Sequence, residues 1–329
     1  MEKIKNHSII KTIGSTRLIL LGVILVLYIL FSVLTPVLRP GSTFLSFSRI
    51  LNALNYCYFI GFMALGVMFV ISTGGIDFSI GPVMFAAGLV GGYCLTAYHL
   101  PLAVCLIICL AVGVAFGVLN GFFVAYLHLP SFITSLASMQ IAKGFGSVFT
   151  KTQVVAWPAN GQEGDAFRLL VRWGNFPTGV VLFLGVAVIC AVVMHKTKAG
   201  RYILCLGSNR EASRISGVNI QKWEMLAFIL CGLMAGVASI FYVGAYTTVQ
   251  PGLGDTLNND AIAACVMGGT LMIGGTASVL GVVIGAVVIA LIQEGIMAMG
   301  FTISWQYIIT GIIVVVAVIL NTKNSRRRA

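Results

Sequence analysis

The chain has 329 residues, of which 59% are hydrophobic and only 9% charged, with a mean hydropathy of +1.02. Water-soluble domains carry about a quarter of their residues as charges, so that class is excluded and a polytopic membrane protein is left. The net charge of +11 does not point to nucleic acid: the basic residues lie between apolar segments rather than on one dense face or tail, where they orient a chain in a bilayer.

Crossing about 30 Å of hydrocarbon takes about 20 apolar residues. Such stretches run over 18–38, 50–72, 79–98, 101–126, 131–150, 177–194, 225–245, 258–275, 277–299 and 304–321. The predicted fold is an all-α polytopic membrane protein of about ten transmembrane helices, a single domain over 1–329 with both termini on the cytoplasmic side. Charge agrees with that orientation. Lys3, Lys5, Lys11 and Arg17 precede the first span, six more basic residues lie between Lys196 and Lys222, and Lys323, Arg326, Arg327 and Arg328 follow the last span, so 14 of the 20 Lys and Arg fall inside. The first apolar run is longer than a signal-peptide core and no small-residue cleavage site follows it, so it is expected to remain as the first span.

Acids inside a membrane are costly and face a partner or a cavity. Asp77 sits in Thr73-Gly74-Gly75-Ile76-Asp77-Phe78-Ser79-Ile80-Gly81-Pro82, where glycines break one helix and Asp77 or Ser79 can cap the next. Capping explains the local sequence; direct contact with a solute or proton is the alternative. A faint internal similarity links Leu119-Asn120-Gly121 and the following Leu129-Pro130-Ser131 to Gln293-Glu294-Gly295 and the following Trp305-Gln306-Tyr307. Five spans per half would make the halves inverted repeats. The loop from Lys151 to Phe176 holds Trp157, Trp173, Arg168 and Arg172, opposed by Glu163 and Asp165, and its aromatics read as an interfacial belt.

The most polar stretch is the cytoplasmic loop 195–224. Within it Ser208 to Gly217 spells a very short helix, with Ser208 or Asn209 as N-cap and Gly217 as the left-handed stop. Isolated helices of that length are marginal in water, so a partner outside the chain is expected to hold it. Arg210 and Arg214 share one face and Ala212 and Ile215 another, which suits a groove with acidic lips. Further on, Asn258, Asn259 and Asp260 can start a helix and capping is the expected role of Asp260, whereas Glu294 lies deep in an apolar run where no cap is needed and faces a pore or another helix. Asp77, Ser79, Asn120, Asp260 and Glu294 are therefore the candidates for a translocation pathway or a helix break.

The eight cysteines lie nearly all in apolar segments and read as packing residues rather than a disulfide or metal framework. Glycine is abundant at 38 residues and recurs at spacings, such as Gly113 and Gly117 or Gly232 and Gly236, that let membrane helices approach closely. No catalytic residue, metal or cofactor is expected. No Gly-rich phosphate loop is present, so any nucleotide chemistry must come from another polypeptide.

Five ordered motifs then carry a resemblance: Thr73 to Gly81, Leu129 to Leu136, Thr197 to Tyr202, Gly207 to Val218 and Asp260 to Thr270. Through them the chain resembles the permease subunits of bacterial ABC importers for ribose, xylose and related monosaccharides. The resemblance implies a subunit of the bacterial cell membrane that pairs with a second permease, binds a cytoplasmic ATP-hydrolysing subunit, and receives sugar from an extracytoplasmic binding protein, with membrane lipid around it and no nucleic acid. Asn209, Arg210, Glu211, Ala212, Ser213, Arg214 and Gly217 would form the segment that meets the ATPase. The chain departs from the pattern at Asn258, where a Glu is usual, at Glu294, where Asn precedes the Gly, and at Ala277, which replaces a Gly. An ion-coupled secondary transporter using Asp77, Asp260 or Glu294 is the main rival, and nucleoside, amino-acid or signal-sugar cargo are the alternatives within the ABC class.

Overall fold

A computed structural model describes residues 15–174, 176–302, 304–312 and 315. The basic residues Lys3, Lys5 and Lys11, those from Lys323 to Arg328, and the far end of the last predicted span lie outside the described residues. Among the described residues, six helices are long and apolar enough to cross a membrane. They are α1 (Ser15–Leu38), α2 (Phe47–Ser72), α4 (Leu102–Ala125), α6 (Thr178–Lys196), α9 (Ile220–Tyr246) and α11 (Val279–Ala298). Between them stand α3 (Ile80–Thr96), α5 (Ser131–Phe149), α7 (Lys198–Ser208), α8 (Arg210–Ile215) and α10 (Asp255–Met267), and residues 304–312 are helical. Helices satisfy their own backbone groups, the requirement that hydrocarbon imposes.

The helix starts are written locally. Pro101, Pro130 and Pro177 stand immediately before α4, α5 and α6, where a missing N–H costs nothing. The side chains of Ser46, Thr197, Asn219 and Ser278 cap α2, α7, α9 and α11. The largest departure from the expected spans is at 258–275. Helix α10 starts at Asp255 and stops at Met267, because Gly269, Gly274 and Gly275 take left-handed φ values of 93°, 87° and 76° and turn the segment 268–278 out of helical geometry.

Helix α2 is the axis of the fold, buried along most of its length and flanked by α9, α10 and α11. Helices α4 and α9 cross backbone to backbone: a Cβ on Gly113 would strike Gly232 and Gly236, and one on Gly117 would strike Phe228 and Ile229. Helices α1, α4 and α6 expose apolar side chains such as Leu25, Val26, Ile107, Val188 and Ile189, as lipid-facing spans do.

The connection 150–177 is more structured than a surface loop. Its β1 (Val155–Ala156) pairs antiparallel with β2 (Thr248–Val249), and a 3₁₀ turn follows at Asp165–Leu170. Trp157 is not an interfacial residue as expected. It is buried to 2% exposure against α3, its indole N–H donating to the Gly88 carbonyl at 3.0 Å, while Trp173 is exposed.

Candidate functional site

Three polar constellations break the apolar interior. The first is the helix break 73–79. The Asp77 carboxylate accepts from the Ser79 N–H at 2.8 Å, the Ser79 hydroxyl at 2.6 Å and the Asn120 amide at 3.4 Å, and Ser138 donates to Asn120. Asp77 and Asn120 are buried, so these bonds replace the water the carboxylate lost. Neither Asp77 nor Ser79 caps α3 in the expected way. The third residue after Ser79 is Pro82, which has no N–H to offer, and the free Gly81 N–H is met at 2.6 Å by Asn258 Oδ1 from α10. Glycines permit this meeting, since a Cβ on Gly81 would collide with the Gly254 carbonyl. The N-termini of α3 and α10 therefore abut inside the bundle, each reached by a non-helical segment, 73–79 or 247–254.

The second constellation lines a cavity of about 750 Å³. Asp260 lies past the first turn of α10 and does not cap it, because the helix begins five residues earlier. Its Oδ2 accepts from the Tyr56 hydroxyl at 2.5 Å and from Gln306 Nε2 at 3.1 Å, and Gln306 also donates to the Tyr56 oxygen at 3.0 Å. Glu294 faces this cavity and pairs with another helix: Arg49 of α2 reaches its Oε1 at 2.9 Å. Asp255 at the rim pairs with Lys143 of α5 at 2.6 Å. The amides of Asn52, Asn55 and Gln293 and the rings of Phe59, Phe85, Tyr242, Tyr246 and Tyr307 complete the wall. Gln293 is 8% exposed, and its Oε1 has no protein partner among the described residues. The sequence reading missed Tyr56, Arg49 and Gln306. Asn52, Asn55, Tyr56 and Phe59 recur at the i, i+3, i+4, i+7 spacing of one helix face, which was the available signal.

The third constellation is at the opposite end, where α7 and α8 sit. Asn209 alone separates them and serves both: its N–H donates to Cys205 O at 2.9 Å, and its Oδ1 accepts from Ala212 N at 2.9 Å. Helix α8 ends with Gly217 at φ 77°, and Gly217 N and Val218 N bond back to the Arg214 and Ser213 carbonyls. The chain thus caps both ends of this six-residue helix itself. Arg210 forms a bidentate pair with the buried Glu224 of α9 at 2.7 and 2.6 Å, and that hydrogen bonding raises the pKa of its guanidinium. The two arginines do not form a free cationic edge: Arg214 pairs with Glu211 at 2.6 Å, which lowers the Glu211 pKa from 4.5. Glu211, Ala212, Arg214 and Ile215 are exposed and Ser213 is buried. The structure thus brings Asp77, Ser79 and Asn120 into one cluster and Asp260 and Glu294 into another, and the backbone of the break, Thr73 to Gly75, lines a cleft with Arg210 and Glu224.

Comparison with known proteins fits this geometry. The chain is 32% identical to the ribose import permease protein RbsC of Escherichia coli, over 91% of this chain and 92% of that one. It is 29% identical to the xylose transport system permease protein XylH of Haemophilus influenzae, over 97% and 99% of the two chains, and 29% identical to the fructose import permease protein FrcC of Rhizobium meliloti, over 90% and 84%. No solved structure matches. Residues 49–318 match the family model for the branched-chain amino acid transport system, permease component, and that span takes in all three constellations. The chain therefore belongs to this family of multi-pass transport permeases.

Proposed function

We propose that the chain is the membrane permease of an ATP-driven importer of a monosaccharide. The observation that carries the reading is the cavity. Amides and carboxylates give and take hydrogen bonds from hydroxyls, tyrosine and phenylalanine rings pack on the C–H faces of a sugar, and the volume of about 750 Å³ lies in the range of ligand sites. Relatives named for ribose, xylose and fructose import agree on the solute class. The solute enters from an extracytoplasmic binding protein and passes between α2, α9, α10 and α11, with Asp77, Ser79 and Asn120 further along the path.

In this reading the chain crosses the membrane ten times, with both termini cytoplasmic. Helix α2 with 73–79 and α3 corresponds, inverted, to α9 with 247–254 and α10. The abutting N-termini of α3 and α10 support that correspondence. So do Asn120 and Glu294, each near the C-terminal end of its helix and at opposite ends of the bundle. A second permease completes the channel. ATP hydrolysis belongs to a cytoplasmic subunit that grips α8 through Asn209 to Gly217, and closure of that motor rocks the spans.

Reconstituted in vesicles with its ATPase and binding protein, the permease is expected to take up labelled ribose, xylose or fructose only with ATP inside, and to do so with ion gradients collapsed. Uptake that an ionophore abolishes at constant ATP, or solute movement by this chain alone, overturns the reading in favour of ion coupling through the intramembrane acids.

A further inference from the structure

Gly207, the penultimate residue of α7, lies in a three-way junction. A Cβ built on it would run into the Ser72 carbonyl at the end of α2 on one side and into the Gly275 nitrogen on the other, with Gly274 Cα at 2.9 Å. The two neighbours are tied across the junction as well. Gly275 N donates to Ser72 O at 3.0 Å, and the Ser72 hydroxyl, whose proton goes to Met68 O at 2.6 Å, lies 3.4 Å from Thr276 O. Alanine is the better helix former, so nothing within α7 calls for glycine here. The close approach does.

Two of the three segments, the end of α2 and the 268–278 turn, are the feet of the helices that wall the cavity. Helix α2, ending at Ser72, carries Asn52, Asn55 and Tyr56. Helix α10, ending just before the 268–278 turn, carries Asp260, and α11, starting just after it, carries Gln293 and Glu294. Tyr56 stands about 24 Å above the junction, at 1.5 Å of rise per residue of α2. On the other flank, Asn209 is the single extended residue between α7 and α8, bonded into both helices. Side chains can change rotamer and absorb a push; bare backbone in contact with bare backbone has nothing to yield.

We propose that Gly207 is the positioning residue that passes a displacement of α8 to the cavity walls, because the end of α7, the end of α2 and the 268–278 turn move together as one rigid knuckle. The proposal rests on α8 being the segment that the ATPase grips.

The test uses the complete importer in vesicles and reads solute moved per ATP hydrolysed, alongside thermal stability and co-purification of the ATPase. Wild type sets the ratio; if it moves no solute, the transport reading fails and the knuckle with it. If wild type transports, Gly207→Ala is expected to lower the ratio about fivefold or more, while the ATPase still co-purifies and hydrolyses. Gly185→Ala, in α6 with open space around it, leaves the ratio unchanged. An unchanged ratio in Gly207→Ala overturns the proposal. Should that variant fail to fold, a crosslink replaces it: Ser208→Cys with Gly275→Cys, in a Cys205→Ser background that removes the exposed thiol. A Cβ on Gly275 would stand 3.2 Å from that of Ser208, a little inside the roughly 3.5–4.5 Å of a disulfide, and Gly275 takes a φ of 76°, so the double variant is compared with itself, reduced against oxidised. A rigid knuckle keeps its ratio when oxidised, within about twofold. Transport lost on oxidation and regained on reduction means that the joint slides, and overturns the proposal.

Discussion

At the cavity end, helices are held apart by long polar side chains bonded in pairs, Arg49 with Glu294 and Tyr56 with Asp260, whereas at the α7 and α8 end backbones touch through Gly207, Gly274 and Gly275. The first arrangement leaves room and exchangeable hydrogen bonds, as a surface that must accept and release a solute requires. The second leaves neither room nor slack. One set of helices thus serves two purposes along its length, adaptable at one end and stiff at the other.

The strongest way to break this contrast is to remove its stiff end. Deleting 210–217 is expected to abolish association with the ATPase while the chain still inserts in the membrane, and retained co-purification would show that α8 is not the grip. Next in size is Arg210→Met, which leaves the buried Glu224 carboxylate without its bidentate partner. Because Arg210 itself is half exposed, we expect a loss of about 2–4 kcal/mol rather than the full cost of a buried pair, read as a lowered unfolding temperature in detergent and a weaker ATPase complex. At the adaptable end, Tyr56→Phe removes one donor to Asp260 and should cost about 1.5–3 kcal/mol, with sugar uptake falling while ATPase association is untouched. Asn258→Ala removes the cap on Gly81 N and should cost about 1 kcal/mol, visible as a small drop in thermal stability.

The smallest effect sharpens the contrast through pH. Arg214 lowers the Glu211 pKa below 4.5, so the stabilisation of α8 by this pair is fully present above the unfolded carboxyl pKa. It is lost only as pH falls through the lowered folded value. Co-purification of the ATPase is therefore expected to be flat from neutral pH down to about pH 5, and a loss between pH 6 and 7 would assign the grip to another group.

Much of this architecture was legible because its causes are local. Apolar runs bounded by Pro101, Pro130 and Pro177 announce their own helices, and α8 carries both its cap, Asn209, and its stop, Gly217, within nine positions. What could not be read was pairing at a distance. Tyr56 meets Asp260 across 204 positions and Asn258 caps Gly81 across 177, so a local reading gave Asp77 or Ser79 the cap of α3 that Asn258 supplies, and gave Asp260 a cap where it instead meets Tyr56. Arg210 was seen as part of a cationic edge because nothing near it in sequence says that Glu224, one helix later, turns to meet it.

The charges of α8 are answered within the chain, Arg214 by Glu211 and Arg210 by Glu224, while Ile215 stands 75% exposed. Ile215 gives a partner of α8 apolar area to bury, while the exposed Lys196, Lys198, Arg201 and Lys222 of the same loop keep the surface around it basic. Assembly with such a partner should be steered by that basic field and slow as ionic strength rises, while its equilibrium rests more on the apolar contact.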